Sequence, residues 1–219
     1  MRTIAVIARK GGSGKTTVAV HLAIAAHLRG RKTLLADADP QRSSSTVLRG
    51  RGGSGPSFAQ TSGAELCRLQ RVAVNRKTDV MVIDTSAGAE EDLSHAIVLA
   101  DLTILVIRPT FLDFAAAVET AAVLRRMEKL GVIVLNQAPV ARAGVEPPLV
   151  RKAQEAVRLM RLPLAPVVLR SRTAYQQALE SGRSAEEFGA GGPAAEEVAN
   201  LWRFVELVIF RAQPDRMRA

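Results

Sequence analysis

Apolar, β-branched runs alternate with segments of helical period along almost the whole chain. TIAVIA (3–8), KTLLAD (32–37), DVMVID (79–84), LTILVI (102–107), GVIVLN (131–136) and LAPVVL (164–169) lack polar alternation. Continuous apolar runs of that length are the mark of strands covered on both faces. Between them the spacing predicts helices at about 15–29, 90–100, 113–129 and 147–161. Further on, 173–182 and 194–210 read as two more helices, the last a C-terminal helix reaching about 212. Strand and helix in alternation point to an α/β fold, a doubly wound and mostly parallel sheet in one domain spanning 1–219. Residues 42–63, RSSSTVLRGRGGSGPSFAQTSG, break the pattern. Rich in Gly, Ser and Arg, they read as a mobile surface excursion rather than a domain boundary.

In such a sheet the functional loops lie beyond the carboxyl ends of the strands, and the first of them is RKGGSGKT (9–16). It follows a strand and opens a helix, the context of a phosphate-binding P-loop. Gly11, Gly12 and Gly14 let backbone N–H groups approach phosphate oxygens, with Ser13 and Thr17 completing the turn and the first helical residues. Lys15 suits the β- and γ-phosphates, and the Thr16 hydroxyl suits Mg²⁺. The helix start adds its positive dipole end. VMVID (80–84) places Asp84 at a strand end, where a carboxylate holds Mg²⁺ through water. Asp39 follows the second strand in LLADADPQ (34–41), with Asp37 close behind it at the strand end.

The P-loop carries a second lysine, Lys10, and an arginine, Arg9, where the ordinary pattern has glycine. The pattern x-K-G-G-x-G-K-[ST] resembles the deviant Walker A motif of the ParA/MinD group of P-loop ATPases. That resemblance implies that Lys10 reaches across a nucleotide sandwich to the partner subunit's phosphates. It implies ATP and Mg²⁺ as cofactors, Asp39 as the switch I aspartate that positions the attacking water and contributes to the metal–water network, and Gly88 as a γ-phosphate sensor. Asn136, in VIVLNQAP (132–139), matches an asparagine that relatives place near adenine. Ser86 and Ala87 stand where the family has prolines, and Thr110-Phe111 replaces a Ser-Pro step. No Asn-Lys-x-Asp guanine reader is present, which favours ATP. The layout is closest to small ParF-like partition ATPases. It implies a homodimer when ATP is bound, non-specific DNA as a partner, and slow hydrolysis until a centromere-binding or cargo-adaptor protein stimulates it.

Charge fits an anionic partner. The chain holds 30 Lys and Arg against 21 Asp and Glu, and residues 1–78 carry 14 against three. A basic excess of this kind favours nucleic acid first and an acidic membrane second. Arg151 and Arg158 fall on one helix face, with Lys152 and Arg161 nearby and Arg170 and Arg172 shortly after, and form one candidate DNA patch. The basic stretch 42–77 is the competing one. A MinD-like membrane helix is the rival reading of ANLWRFVELVIFRAQPDRMRA. Leu201, Trp202, Val205, Val208 and Ile209 nevertheless fall at the spacing of a helix docked on a core, which disfavours a membrane partner. The single cysteine, Cys67, excludes disulfides and a metal cluster held within one protomer. No apolar run approaches the roughly 18 residues of a membrane span. The expected setting is the cytoplasm, on the nucleoid.

Overall fold

The computed structural model describes residues 1–87 and 90–211. Six parallel strands form one sheet: β1 (Arg2–Ile7), β2 (Thr33–Asp37), β3 (Ser57–Gln60), β4 (Val80–Asp84), β5 (Leu102–Ile107) and β6 (Gly131–Leu135), in the order β3-β2-β4-β1-β5-β6. The four central strands and β6 are those the apolar runs predict, shifted by at most a residue. Their side chains are buried on both faces because helices cover both. One face packs against α1 (Lys15–Leu28) and α9 (Pro193–Arg211), the other against α4 (Glu90–Leu99), α5 (Phe111–Arg126) and α6 (Pro148–Leu159). The expected doubly wound architecture is what the chain adopts, and among the described residues every strand pair is parallel.

Two segments differ from their sequence expectation. LAPVVL (164–169) runs alongside β6 and exchanges main-chain bonds with it, Ala165 N–H to Ile133 O at 2.8 Å and Leu169 N–H to Leu135 O at 2.9 Å. It makes only isolated bridges to the sheet and no strand of its own. Pro163 and Pro166 withhold N–H groups there, and a ladder cannot propagate past them. Within 42–63 the structure contains helix α2 (Ser43–Arg49) and β3, which pairs in parallel with β2 along the sheet edge. Helix α3 (Leu66–Asn75) follows, after a single 3-10 turn at Gly63–Glu65.

The turn after α2 is anchored on the far side of the chain. Arg51 makes a bidentate ion pair with Glu187 at 2.6 and 2.8 Å and is 9% exposed at its side chain. Glu187 belongs to α8 (Ala185–Phe188), which follows α7 (Thr173–Glu180). Gly182, at φ +67°, lies against the Arg51 backbone so closely that a Cβ would stand 2.6 Å from its nitrogen. Only glycine meets both conditions.

Helix α9 docks as its spacing predicts. Leu201, Trp202, Val205 and Ile209 are buried against the sheet, Trp202 completely. Arg31 holds its end, pairing with Glu206 at 2.9 Å and covering the Phe210 ring at 4.4 Å. Among the described residues no helix is long and apolar enough to cross a membrane.

Candidate functional site

The carboxyl ends of β1, β2, β4 and β6 converge on one pocket of loops. Residues 8–14 leave β1 and enter α1 through two left-handed glycines, Gly12 at φ +73° and Gly14 at φ +90°. Gly14 is the residue preceding the first turn of α1. A Cβ there would stand 2.1 Å from Asn136 Nδ2, so glycine is required by conformation and by space alike.

The loop is held from β6. Asn136 Nδ2 donates to Ser13 O at 2.8 Å, and Gln137 Nε2 donates to Gly12 O at 2.9 Å. Gln137 itself sits at φ +53°, a conformation unusual for a residue with a side chain. With two carbonyls turned back toward β6, the intervening peptide N–H groups are free to face an anion. The structure thus commits the Asn136 amide nitrogen to the P-loop, a supporting contact the sequence does not reveal.

At the base of the loop lie the carboxylates. Asp84 and Asp37 are directly opposed on β4 and β2, and both are completely buried. They differ in what they bind. Asp37 caps the start of α2, accepting the N–H of Ser45 at 2.9 Å and that of Asp39 at 3.3 Å. Neither oxygen of Asp84 has a hydrogen-bond partner among the described residues. Burial pushes the Asp84 carboxyl up to about 7. The Thr16 and Ser44 hydroxyls and the Lys15 ammonium pull against that rise, while Asp37 adds to it. Lys15 is 6% exposed; burial lowers its pKa, opposed by the charges of Asp84 and Asp39. Asp39 is half-buried and folds into an Asx turn, accepting Gln41 N–H at 2.9 Å.

A buried, unpartnered carboxylate beside a threonine hydroxyl and a lysine costs several kcal/mol unless a cation joins it. A divalent ion reaching Thr16 and Asp84, with a polyphosphate over Gly11–Thr17, supplies the missing charges. The residues present fit both groups. Of the metal set expected from sequence, Thr16 acts on Asp84, and Lys15 feels the charges of both Asp84 and Asp39. Asp37 accepts one main-chain N–H on each oxygen and holds the start of α2.

Lys10 is half-buried, lies with Arg9 and Ser13 against the β5 and α5 side of the loop, and makes no hydrogen bond or ion pair among the described residues. Arg9 beside it is tied to α5 through Glu119 at 2.7 Å. Arg108, at the end of β5, grips Asp113 in α5 through three hydrogen bonds of 2.9–3.0 Å and lies 3.8 Å from the Cβ position of Gly12. Arg42, at φ +55°, ties the two sides of the Asp37 turn together by donating to Thr61 O at 2.7 Å and to Asp37 O. No motif announces Gln137, Arg108 or Arg42, because each acts on a carbonyl or carboxylate distant in sequence or set by loop geometry. Ser86 and Ala87 follow β4, and Gly88 lies outside the described residues.

The sequence-derived DNA patch divides. Arg151 and Arg158 are exposed on α6. Arg170 is locked to Glu146 at 2.6 and 2.7 Å, and Arg172 to Glu197 at 2.8 Å, with Tyr175 OH on the same glutamate at 2.7 Å. These two arginines are structural, holding the segment after β6 and the start of α7 to their neighbours.

A parallel doubly wound sheet, a glycine-lined loop running into a helix, and a lysine, threonine and aspartate gathered beneath it define a P-loop nucleotide-binding protein. Residues 4–185 match the family model described as the CobQ/CobB/MinD/ParA nucleotide binding domain, and the chain belongs to that family. It is 32% identical over 212 residues to the maintenance of carboxysome distribution protein A of Gloeobacter kilaueensis, covering 94% of this chain and 93% of that protein. It is 24% identical to the protein ParA of Rhizobium radiobacter over the full length of both. Among solved structures, the septum site-determining protein MinD of Pyrococcus horikoshii, complexed with Mg-ADP, superposes with a TM-score of 0.73 at 21% identity, covering 94% of this chain and 96% of that one.

Proposed function

We propose that this chain is an ATP-dependent positioning ATPase that closes into a homodimer around bound nucleotide. The observation that carries the reading is Lys10, a half-buried cation in the P-loop with no hydrogen bond or ion pair among the described residues, in a loop already served by Lys15. A second lysine has a use where a second protomer's phosphates come within reach. Lys15 then neutralises the β- and γ-phosphates, Thr16 and Asp84 hold the metal, and Asp39 orients the attacking water. A bound Mg²⁺ would neutralise phosphate charge as the leaving group departs. Asn136 and Gln137 keep the loop carbonyls turned away from the phosphates.

The dimer binds duplex DNA without sequence preference and hydrolyses ATP slowly until a cargo-bound partner protein stimulates it. The cargo under this reading is a plasmid or chromosomal centromere complex, in keeping with the ParA relative. A second reading, a protein body as cargo, is favoured by the relative named for carboxysome distribution. Both share the nucleotide cycle.

Phosphate release from ATP and GTP, with Mg²⁺ or EDTA, tests the enzymatic part. ATP turnover that requires Mg²⁺, lost with nucleotide binding in Lys15→Ala and lost without it in Asp39→Ala, is expected. Failure of wild-type protein to bind ATP would overturn the reading.

A further inference from the structure

In a parallel sheet the helices return to the amino ends of the strands, opposite the nucleotide loops. Seven stretches feed those ends here: residues 1–2, 29–32, 49–56, 76–79, 100–101, 125–130 and 158–163. Together they hold thirteen of the chain's 30 Lys and Arg and only three of its 21 Asp and Glu. The remainder of the chain is close to neutral, so nearly all the net charge of +9 sits on this one edge.

The stretches are joined in space. Asp79 N–H bonds to Lys32 O and Arg2 N–H to Asp79 O, both at 2.8 Å. Lys129 Nζ reaches the carbonyls of Val98 and Ala100, and Arg125 that of Met160. Ion pairs tie Arg2 to Asp101, Arg29 to Glu186, Arg31 to Glu206 and Arg51 to Glu187. With the α8 and α9 glutamates included, thirteen positive charges still face six negative ones.

Helix capping accounts for part of this. One cation at each helix C-terminus answers the dipole, as Arg125 and Lys129 do through the carbonyls they hold. Arg126, Arg158, Arg161 and Lys77 remain exposed beyond that need. Lys77 and Arg161 occupy left-handed positions, φ +56° and +54°, just past α3 and α6. Glycine is the usual residue there; a long cation takes the position past α3 and α6, and Glu128, at φ +52°, takes it past α5. Beside β2 and β3 the edge opens into a cleft of about 250 Å³ lined by His27, Gly30, Arg31, Lys32, Thr33 and Ser57.

We infer that the amino edge of the sheet is the surface that binds the phosphate backbone of duplex DNA, on the side of the molecule away from the nucleotide. Six strands at about 4.8 Å make an edge roughly 24 Å wide, enough to meet several phosphates of a duplex. Backbone binding needs clustered cations and no base reader. Among the exposed apolar side chains here, Leu28 on α1 and Leu159 on α6 belong to opposite faces of the sheet, and Met1 stands at the start of β1. The inference rests on the DNA-binding reading above and adds a consequence. A dimer closed through the nucleotide edges carries two DNA surfaces facing outward. ATP therefore tightens DNA binding through bivalency.

The test is fluorescence anisotropy of a labelled 30-base-pair duplex over a salt series, with Mg-ATP and without nucleotide. Wild-type protein is compared with the edge variant R126Q/R158Q/R161Q and with R151Q/K152Q at the opposite end of α6, each checked for an unchanged fold by circular dichroism. The edge variant should bind at least about 10-fold more weakly in both nucleotide states, its log–log salt slope smaller by about 2 to 3, while R151Q/K152Q matches wild type. An edge variant that binds like wild type, or a loss confined to R151Q/K152Q, overturns the inference and leaves DNA binding standing. Absence of wild-type binding at low salt overturns the DNA reading as well, with ATP turnover untouched. Edge-dependent binding to phosphatidylglycerol vesicles in place of DNA would assign the edge to a membrane and overturn it too.

Discussion

Gly14→Ala should loosen the nucleotide loop by an amount that depends on Asn136. Two costs meet at this position. At φ +90° an L residue pays about 1 kcal/mol of backbone strain. The new methyl would also stand 2.1 Å from Asn136 Nδ2, so the amide must leave. Its departure strands the Ser13 carbonyl in a buried position, a loss of about 1–3 kcal/mol. The sum is about 2–4 kcal/mol, or roughly 5–15 °C in melting temperature for a chain of this size. Asn136→Ala alone should cost about 1–3 kcal/mol through the same lost bond. In the Asn136→Ala background the clash is gone, and Gly14→Ala should then cost only the strain, about 1 kcal/mol. Urea unfolding of the four proteins closes the cycle, with a coupling of at least about 1 kcal/mol expected. Equal cost of Gly14→Ala in both backgrounds would refute the clamp between β6 and the P-loop.

Other consequences can be checked separately. His21 is buried in α1, its Nδ1 donating to Thr17 O at 2.8 Å and its ring edge-on to Tyr175, and burial brings its pKa down to about 4. The unfolded chain takes up that proton near 6.5, so stability should fall by up to about 3 kcal/mol as pH drops from 6.5 to 4. His21→Leu should flatten that part of the stability profile, and an unchanged slope between those pH values would count against burial as the cause. Arg51→Ala removes the bidentate pair to Glu187 and should cost about 2–3 kcal/mol. Hydrogen exchange should quicken first across 43–60; a uniform effect over the whole chain would deny that this pair anchors the edge. Trp202→Ala, emptying the fully buried site beneath α9, should cost about 3–5 kcal/mol in urea unfolding.

The nucleotide loop was legible because its chemistry is written in consecutive residues. Glycines at fixed offsets, then Lys15 and Thr16, announce the loop, although its clamp from Asn136 and Gln137 is written far away in the chain. The central strands were legible because burial on both faces leaves no polar position in Ile4–Ile7 or Val80–Ile83. Strand β3 escaped notice because Ser57–Gln60 is short, sits at an edge and holds one large apolar residue, Phe58. Arg170 and Arg172 looked like a patch because their partners, Glu146 and Glu197, lie 24 and 25 residues away. The amino edge is the extreme case: its cations come from separate turns, one to three at a time, and only the sheet gathers them. The charge asymmetry between residues 1–78 and the rest of the chain pointed to an anionic partner and, without the topology, could not locate its surface.

The central claim is that Lys10 serves a second protomer, and light scattering coupled to gel filtration tests it most directly. With Mg-ATP the wild-type protein should run as a dimer and with Mg-ADP as a monomer. Lys10→Ala should stay monomeric in both while still binding a fluorescent ATP analogue. A Lys10→Ala protein that dimerises with ATP as wild type does would contradict the account.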